Sequence, residues 1–402
     1  MGYAGLDWAD AHHDVAVIDE AGLQVATLRV AHSKEGLNEL TRFLLGIAKT
    51  PEQMACIIET NHGLLIATLL DAGFPVYPVN PKTVDRRRKA AGAKTDAIDA
   101  YLLAKTGRAD LVDLRRLQPD SPLVQELKAL TRDQDALIES QTRLVNQLTA
   151  CLKAYYPVAL ELFSKLHQRT TLVFLQTYPT PEQAMAAPVE RLETTLRTGG
   201  HPTPTKTANT IWQRLHPPHL RADRITTRTK ARLMLALVGQ LLPLVEQIAA
   251  YDKEIRRLFL MHPDSGLFGS LPGAGKRLAP RLLAEWGDDR SRYTGSTSVQ
   301  ALAGTAPVAF ASGNYAKAHK RYACLKPLRN ALHQFAWLST QREGWALRYY
   351  QRKRAEGKSH SMAVRALANG WVRIIYAVWS QHARYDTAIF EAAQLAHHQR
   401  AA

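Results

Sequence analysis

Four acidic residues have the types and spacing that a metal-dependent reaction on a phosphodiester requires. Asp7 lies in a short apolar run that predicts a buried strand, and Glu59 ends a second such run. Asp96 and Asp99 are three residues apart, so a helix would place both side chains on one face. Carboxylates at two strand ends and on one helical turn can converge, and Mg²⁺ prefers such hard oxygen ligands. The four acids therefore predict a site for two Mg²⁺ ions, which would stabilise the attacking and the leaving oxygen together.

The segments around these acids alternate between strand and helix. Apolar patterns predict strands at 3–8, 14–19 and 24–30, a helix capped by Ser33, the strand ending at Glu59, a helix from about 63 to 72 and a strand at 75–79. This order is typical of an RNase H-like mixed sheet, an α/β fold in which acids gather at strand ends and on a neighbouring helix. The other nearby acids, Asp10, Asp14 and Asp19, are interpreted as caps or surface residues, with Asp10 as the alternative to Asp7.

Two heptad patterns predict long helices in the middle of the chain. One lies within residues 121–156 and the other within 234–258, and in both the apolar residues alternate at spacings of four and three. Gln134 and Gln141 occupy core positions and would favour a fixed register, whereas Pro243 would kink or interrupt the second helix. The patterns indicate an antiparallel pair, an oligomer interface or both. An ordinary helical bundle within one subunit is the alternative.

Positive charge increases along the chain. Residues 1–112 hold 12 Lys and Arg against 14 Asp and Glu, residues 113–260 hold 20 against 14, and residues 261–402 hold 20 against 8. We divide the chain at these boundaries into a metal-binding α/β domain, a coiled-coil assembly region and a mainly helical C-terminal domain. A net charge of +16, concentrated in the last two regions, predicts a polyanion as partner and salt-sensitive binding.

The basic side chains that would contact nucleic acid form four groups. The first group lies before Asp96, the second after the glycine turn of Gly273 and Gly275, the third after the Ser312-Gly313 pair, and the fourth on a late stretch that also carries aromatic residues. In chain order the residues are Arg86, Arg87, Arg88, Lys89, Lys94, Lys276, Arg277, Lys317, Lys320, Arg321, Arg329, Arg352, Lys353 and Arg354. The glycine turn is partly similar to a phosphate loop, but Arg277 stands where such a loop needs Ser or Thr, which excludes a nucleoside-triphosphate site. A turn between two short helices, as in helix-hairpin-helix elements, fits better.

Ser312 of the Ser-Gly pair follows an apolar segment and precedes a cluster of cations. A serine that attacks a phosphodiester needs positive groups to hold the phosphate, which Lys317, Lys320 and Arg321 could supply. By itself the pair predicts no more than a loop.

Cys56, Cys151 and Cys324 are far apart and odd in number, which favours a reducing compartment and neither a disulfide framework nor a zinc site. The chain opens on a strand-like run without a leader, and no stretch reaches the roughly 18 uncharged apolar residues of a membrane span. We expect a cytoplasmic protein with no membrane partner.

The motifs resemble those of the DEDD-type transposases, or recombinases, of insertion sequences guided by an element-encoded bridge RNA. GLDWA around Asp7 is similar to the first acidic motif of that family, IETNHG around Glu59 to the second, and KTDAIDA around Asp96 and Asp99 to the third and fourth. LPGAG, ALAG and the SG pair at Ser312 resemble the C-terminal transposase domain. The resemblance covers nearly the whole chain.

This resemblance implies a RuvC-like N-terminal domain, a coiled coil for assembly and a C-terminal domain with a nucleophilic serine. Ser312 would attack DNA and form a covalent 5′-phosphoserine link, with Ser296, Ser298 and Ser339 as competitors. The four acids would bind Mg²⁺ beside it, in a composite site formed within one subunit or between two. Pairing of the bridge RNA would read donor and target DNA, and strand exchange between two sites favours a homodimer or homotetramer.

Two other functions remain open from the residues alone. One is a RuvC-like, metal-dependent junction endonuclease that uses water as the nucleophile. The other is a catalytically silent nucleic-acid-binding protein. The paired acids argue against the second, and Ser312 with its cations argues against the first.

Overall fold

The computed structural model describes residues 1–60, 63–80, 95–312 and 315–392, and for 310–312 and 315–316 it describes the backbone alone. The chain forms two compact units, Met1–Pro119 and Asp120–Ala402.

The first unit is built on a mixed sheet. In its described part the strands are β1 (Gly2–Trp8), β2 (His12–Ile18), β3 (Gln24–Ala31), β4 (Met54–Ile58) and β5 (Val76–Pro78), in the order β3-β2-β1-β4-β5. β1 is antiparallel to β2 and parallel to β4. All five residues of β4 are buried because both faces of this inner strand are covered, whereas the edge strand β3 is largely exposed. The predicted mixed α/β sheet is confirmed.

Three helices of the first unit pack around the sheet within its described residues: α1 (Lys34–Ile47), α2 (Leu64–Asp71) and α3 (Asp96–Asp110). Ser33 caps α1 as predicted, because its side chain accepts a hydrogen bond from the Gly36 amide at 3.1 Å. Leu40 and Leu44 of α1 are fully buried in the core on one side of the sheet. On α3, the buried Leu102 and Leu103 pack with Ile57 of β4.

The second unit is mainly helical. Its described helices are α4 (Pro122–Tyr155), α5 (Ala159–Leu162), α6 (Arg169–Thr177), α7 (Pro181–Met185), α8 (Val189–Thr198), α9 (Pro204–Leu215), α10 (Arg224–Met261), α11 (Ser265–Gly269), α12 (Gly275–Trp286), α13 (Ser296–Leu302), α14 (Lys326–Ser339), α15 (Gly344–Ala355) and α16 (His360–Ser380). A hairpin of β6 (Val308–Ser312) and β7 (Tyr315–His319) precedes α14. Short 3₁₀ turns lie at Pro51–Gln53 in the first unit and at Arg290–Arg292 in the second.

The two heptad patterns form long helices that pack antiparallel within the chain. Gln134 of α4 donates a hydrogen bond to Asp252 of α10 at 2.9 Å, and Cys151 of α4 lies 3.4 Å from the Lys230 carbonyl. α10 continues through Pro243 rather than ending there. A coiled coil between subunits stays a prediction.

Two hydrophobic cores lie in the second unit. The first core contains Leu127, Leu258, Trp286 and Trp371. The second contains Leu148 of α4 and buried residues of helices α5 to α10. α4 and α10 contribute to both cores, and the division of the sequence at 112 and 260 stays a prediction. By length and composition α10 is also apolar enough to cross a membrane, with a mean hydropathy of 1.7 over an 18-residue stretch that is 28% buried. The absence of a membrane partner therefore stays a prediction too.

Candidate metal centre and nucleic-acid interface

The sheet topology brings two of the predicted metal ligands to one edge. β1 and β4 run parallel with Leu6 opposite Ile58, and the acids Asp7 and Glu59 follow these residues directly. The carboxyl ends of neighbouring parallel strands meet at the same edge of a sheet. Asp7 and Glu59 therefore lie side by side although 51 residues separate them in the sequence.

The other two acids occupy the first turn of α3. Thr95 caps this helix by accepting a hydrogen bond from the Ile98 amide at 3.3 Å, and Asp96 and Asp99 follow it. The helix can approach β1 closely because residue 5 is glycine: a Cβ there would lie 1.9 Å from the Ala100 carbonyl oxygen. This close approach holds α3, whose first turn carries Asp96 and Asp99, against the strand that carries the first acid.

The electrostatics of Asp7 show that the acids form one cluster. Burial, followed by the negative charges of Asp99, Asp96, Glu59 and Asp14, raises the pKa of Asp7 to about 6. We call these five residues the acid cluster. The structure thus brings together all four acids predicted from the sequence.

Asp14 is the member that the sequence analysis missed. The interpretation of Asp14 as a cap or surface residue is wrong, because its side chain is mostly buried and β2 places it directly opposite Asp7. Arg29 of β3 lies 3.1 Å from the Asp14 carboxylate and 3.4 Å from that of Asp96. A hairpin between the first two predicted strands would have given the signal, because antiparallel pairing across its turn sets Asp14 opposite Asp7. Asp19, by contrast, does cap a turn, accepting a hydrogen bond from the Leu23 amide.

The cluster has the donor chemistry for a hard divalent cation. Among the described residues, the ligand atoms of His12, Asp14 and Asp96 lie within 4.8 Å of one another. Asp7, Glu59 and Asp99 add carboxylates whose mutual repulsion raises the pKa of Asp7, and a cation would remove that repulsion. The residues therefore fit a metal. Asp96 belongs both to the four predicted acids and to the group that it forms with His12 and Asp14.

Ser312 is the last residue of β6 and pairs with Tyr315 across the hairpin. The backbone of Ser312 is thus extended and paired, whereas Gly313 of the predicted loop lies outside the described residues. Two of the competing serines have structural roles. Ser298 is mostly buried and donates to the Gly295 carbonyl, and the fully buried Ser339 accepts from the Trp371 indole at 2.8 Å. Ser296, at the start of α13, is partly exposed.

The glycine turn joins α11 and α12, as its sequence predicts. Gly273 has a φ of +83° and packs so tightly that a Cβ would lie 2.8 Å from the Leu338 carbonyl oxygen of α14. Lys276 is exposed. The Arg277 guanidinium forms a two-bond ion pair with Asp252, at 2.7 and 2.5 Å, which raises the pKa of Arg277. Arg277 is thus partly committed to an internal contact between α12 and α10.

The remaining predicted nucleic-acid contacts have different environments. Arg86, Arg87, Arg88, Lys89 and Lys94 lie outside the described residues. Lys317 and Lys320 are exposed, whereas Arg321 and Arg329 are half-buried. On α15, Arg352 stacks over Tyr349, Lys353 pairs with Glu356 at 2.8 Å, and Arg354 donates to the Lys358 carbonyl.

Comparison with known proteins matches both ends of this architecture. Residues 4–157 match a DEDD transposase model of the IS110 type, and residues 265–351 match the transposase family IS116/IS110/IS902. The IS117 mini-circle protein of Streptomyces coelicolor is 34% identical over 388 residues, which are 91% of this chain and 91% of that protein. The IS116 44.8 kDa protein of Streptomyces clavuligerus is 30% identical over 94% of each chain, and the IS1111A transposase of Coxiella burnetii is 22% identical over 77% of this chain and 70% of its own length.

Similarity of this extent, together with matches that contain both the acid motifs and Ser312, identifies the chain. Its substrate is therefore DNA, and a divalent metal agrees with the acids that its first unit gathers. The chain belongs to the IS110/IS116/IS902 family of insertion-sequence transposases.

Proposed function

We propose that this transposase exchanges DNA strands through Mg²⁺-dependent attack by Ser312, guided by a bridge RNA that pairs with donor and target DNA. The observation that carries the proposal is the acid cluster. Carboxylates from β2, the end of β4 and the first turn of α3 act together on Asp7 of β1. A group of acids this dense is costly to fold unless it has a cationic ligand to bind.

The chemistry balances without a cofactor beyond the metal. The Oγ of Ser312 forms a bond to the scissile phosphorus, the bond from phosphorus to the 3′ oxygen breaks, and a 3′ hydroxyl leaves with a proton. Attack by the 3′ hydroxyl of the exchanged strand then reverses the step and releases the serine. Mg²⁺ held by Asp7, Glu59, Asp96 and Asp99 would supply neutralisation of the phosphate and of the developing oxygen charges.

Arg29 and His12 have a separate role in this proposal. They contact the carboxylate of Asp96, Arg29 at 3.4 Å and His12 at 3.6 Å, and so orient it within the acid cluster. On metal binding Asp96 would exchange these partners for the ion. Arg29 would remain paired with Asp14, which keeps β2 and β3 in place.

Trapping of the covalent intermediate tests the nucleophile. The protein, its bridge RNA and radiolabelled donor and target DNA are incubated with Mg²⁺, and labelled protein is separated under denaturing conditions. We expect an adduct that Ser312→Ala abolishes and that the matched variant Ser296→Ala retains. Cleavage without an adduct, unchanged by Ser312→Ala, would instead assign the reaction to water and to a junction endonuclease.

The guide is tested by sequencing RNA that co-purifies with the protein. We expect one noncoding species encoded beside the gene, because the basic charge of the chain suits backbone contacts rather than base reading. Random fragments of cellular RNA would refute RNA guidance while leaving the transposase reaction intact.

Assembly is tested by mass. We propose a homodimer or homotetramer in the bacterial cytoplasm, since exchange between two DNA sites needs at least two catalytic centres. The exposed apolar residues Leu233 and Leu235 of α10 could contribute to the interface. Light scattering of the free protein should give two or four times 44.8 kDa, and with nucleic acid the same protein mass plus that of the bound nucleic acid.

A further inference from the structure

Five basic side chains, which we call the basic pocket, come from three parts of the second unit, and the charges of Lys320, Arg329 and Arg365 all act on His333. Lys320 and Arg321 follow β7, Arg329 and His333 lie one turn apart on α14, and Arg365 lies on α16. α14 and α16 pack against each other through Phe335 and Trp371, whose ring centroids are 4.9 Å apart. Two members, His333 and Arg365, carry no motif and were not singled out by the sequence analysis.

The pocket contains buried donors that the protein leaves without acceptors. In the described part of the chain, Arg321 Nε, His333 Nε2 and Arg365 Nε are buried and have no hydrogen-bond partner. Among the described residues, the side-chain contacts of Arg329 are to Cys324 Sγ at 3.7 Å and to Asn330 at 3.3 Å and 3.4 Å. Buried polar atoms normally find partners, and leaving one unpaired destabilises the fold. Several such atoms at one place indicate a ligand that is not part of the chain.

The charges around His333 show what kind of ligand this is. Burial, followed by the positive charges of Arg365, Arg329 and Lys320, lowers the pKa of His333 to about 4. Elsewhere in the second unit half-buried arginines are paired with acids, as Arg281 is with Asp135 at 2.5 Å. Within the described residues, no Asp or Glu forms an ion pair with any member of the basic pocket. The missing partner is therefore anionic.

We propose that the basic pocket binds a backbone phosphate of the DNA strand on which Ser312 acts. Guanidinium groups present paired N–H donors that match phosphate oxygens, and several cations suit a tetrahedral anion better than a planar carboxylate. DNA is favoured over RNA because Lys320 and Arg321 follow directly on the hairpin whose first strand ends at Ser312. This inference rests on the proposed function for the identity of the strand.

The pocket also has a consequence for the protein without DNA. Its cations repel one another and lack a counterion, so removing one should relieve the repulsion. Arg365→Gln should therefore stabilise the free protein while weakening DNA binding. A residue with a merely structural role would change stability in the opposite direction.

The test compares Arg365→Gln with Arg373→Gln, which removes the same charge from an exposed position on the same helix. Binding of the full-length protein to a duplex donor site is measured at several salt concentrations. We expect Arg365→Gln to weaken binding about tenfold or more and to reduce the salt slope by about 1. The Tm of the free variant should rise by about 2 °C. The proposal is overturned if Arg365→Gln binds DNA with the same affinity and salt slope as Arg373→Gln. It is also overturned if Arg365→Gln loses binding to single-stranded RNA while its DNA binding is unchanged.

A second measurement is independent of mutation at Arg365 and of catalysis. The imidazole resonance of His333, assigned with His333→Gln, is titrated by NMR with a DNA oligonucleotide and, separately, with inorganic phosphate. A phosphate beside the ring should raise the pKa of His333, and micromolar DNA should produce the shift. A response to millimolar inorganic phosphate alone would refute the DNA assignment. If the Ser312 adduct fails to form but this shift appears, the pocket stands and the nucleophile is misassigned.

Discussion

Neutralising Asp7 should make the metal-free protein more stable and at the same time remove its response to metal. In the folded protein the pKa of Asp7 is raised from 3.8 to about 6 by burial and by the other acids. Because the folded state favours protonated Asp7, its contribution to stability is complete below pH 3.8 and is lost as the pH rises through about 6. At pH 7.5 the ionised carboxylate opposes folding, and Asp7→Asn removes that opposition.

The shift sets the size of the effect. A raised pKa of this extent corresponds to about 3 kcal/mol at most, since one pKa unit is about 1.4 kcal/mol. Asp7 is only partly buried, so solvent screening reduces the expected gain to about 1 kcal/mol. Hydrogen exchange of the β1 amides, followed by mass spectrometry in EDTA, reports the free energy of opening of the first unit. Asp10→Asn, an exposed acid absent from the charges acting on Asp7, is the matched control and should change it by less than about 0.5 kcal/mol.

Mg²⁺ should reverse the order of stability of the wild-type protein and Asp7→Asn. Wild-type protein gains stability as its acids bind the ion, whereas Asp7→Asn lacks one ligand and gains much less. The reasoning is refuted if Asp7→Asn destabilises the protein in EDTA, or if Mg²⁺ protects β1 equally in both proteins.

Three further predictions concern packing and pH. Gly5→Ala should lower the free energy of unfolding by about 2 kcal/mol and abolish Mg²⁺ binding, because α3 must move away from β1. Gly46→Ala is the control: an added Cβ there meets no neighbouring atom, so this variant should retain binding in a metal titration. Glu285→Gln should lower the free energy of unfolding by about 2 kcal/mol, since the half-exposed Arg132 loses a two-bond ion pair at 2.7 and 2.9 Å; an unchanged denaturation midpoint would contradict this. Because the pKa of His333 is lowered, its contribution to stability is complete above pH 6.5 and is lost as the pH falls to about 4. We expect the protein to lose about 2 kcal/mol of stability over this range. His333→Gln should remove this decrease from the pH profile of the Tm.

The sequence predicted those parts of the fold that one short pattern determines. The strands carrying Asp7 and ending before Glu59 were visible because short apolar runs between turns suit the inside of a sheet. The long helices were visible because an apolar alternation of four and three persists over many turns. In each case the signal and the structure occupy the same residues.

The parts that escaped depend on which elements become neighbours. Asp14 looks like an ordinary polar residue in an alternating strand, and it becomes a member of the acid cluster only through pairing with β1. The hairpin of β6 and β7 pairs Val308–Ser312 with Tyr315–His319 within a region whose other patterns are helical. His333 and Arg365 meet because α14 packs on α16, which no local spacing indicates.

The contact between the two long helices limits how this chain can change in length. Gln134 on α4 and Arg277 on α12 both bind Asp252 of α10, so three helices share one polar junction. A deletion in α4 alone would move Leu148 out of register with the residues it packs against on α10. It would also separate Gln134 from the Asp252 carboxylate. Viable length variants of relatives should therefore add or lose whole heptads in both helices together, each step moving the two cores apart or closer by about 10 Å.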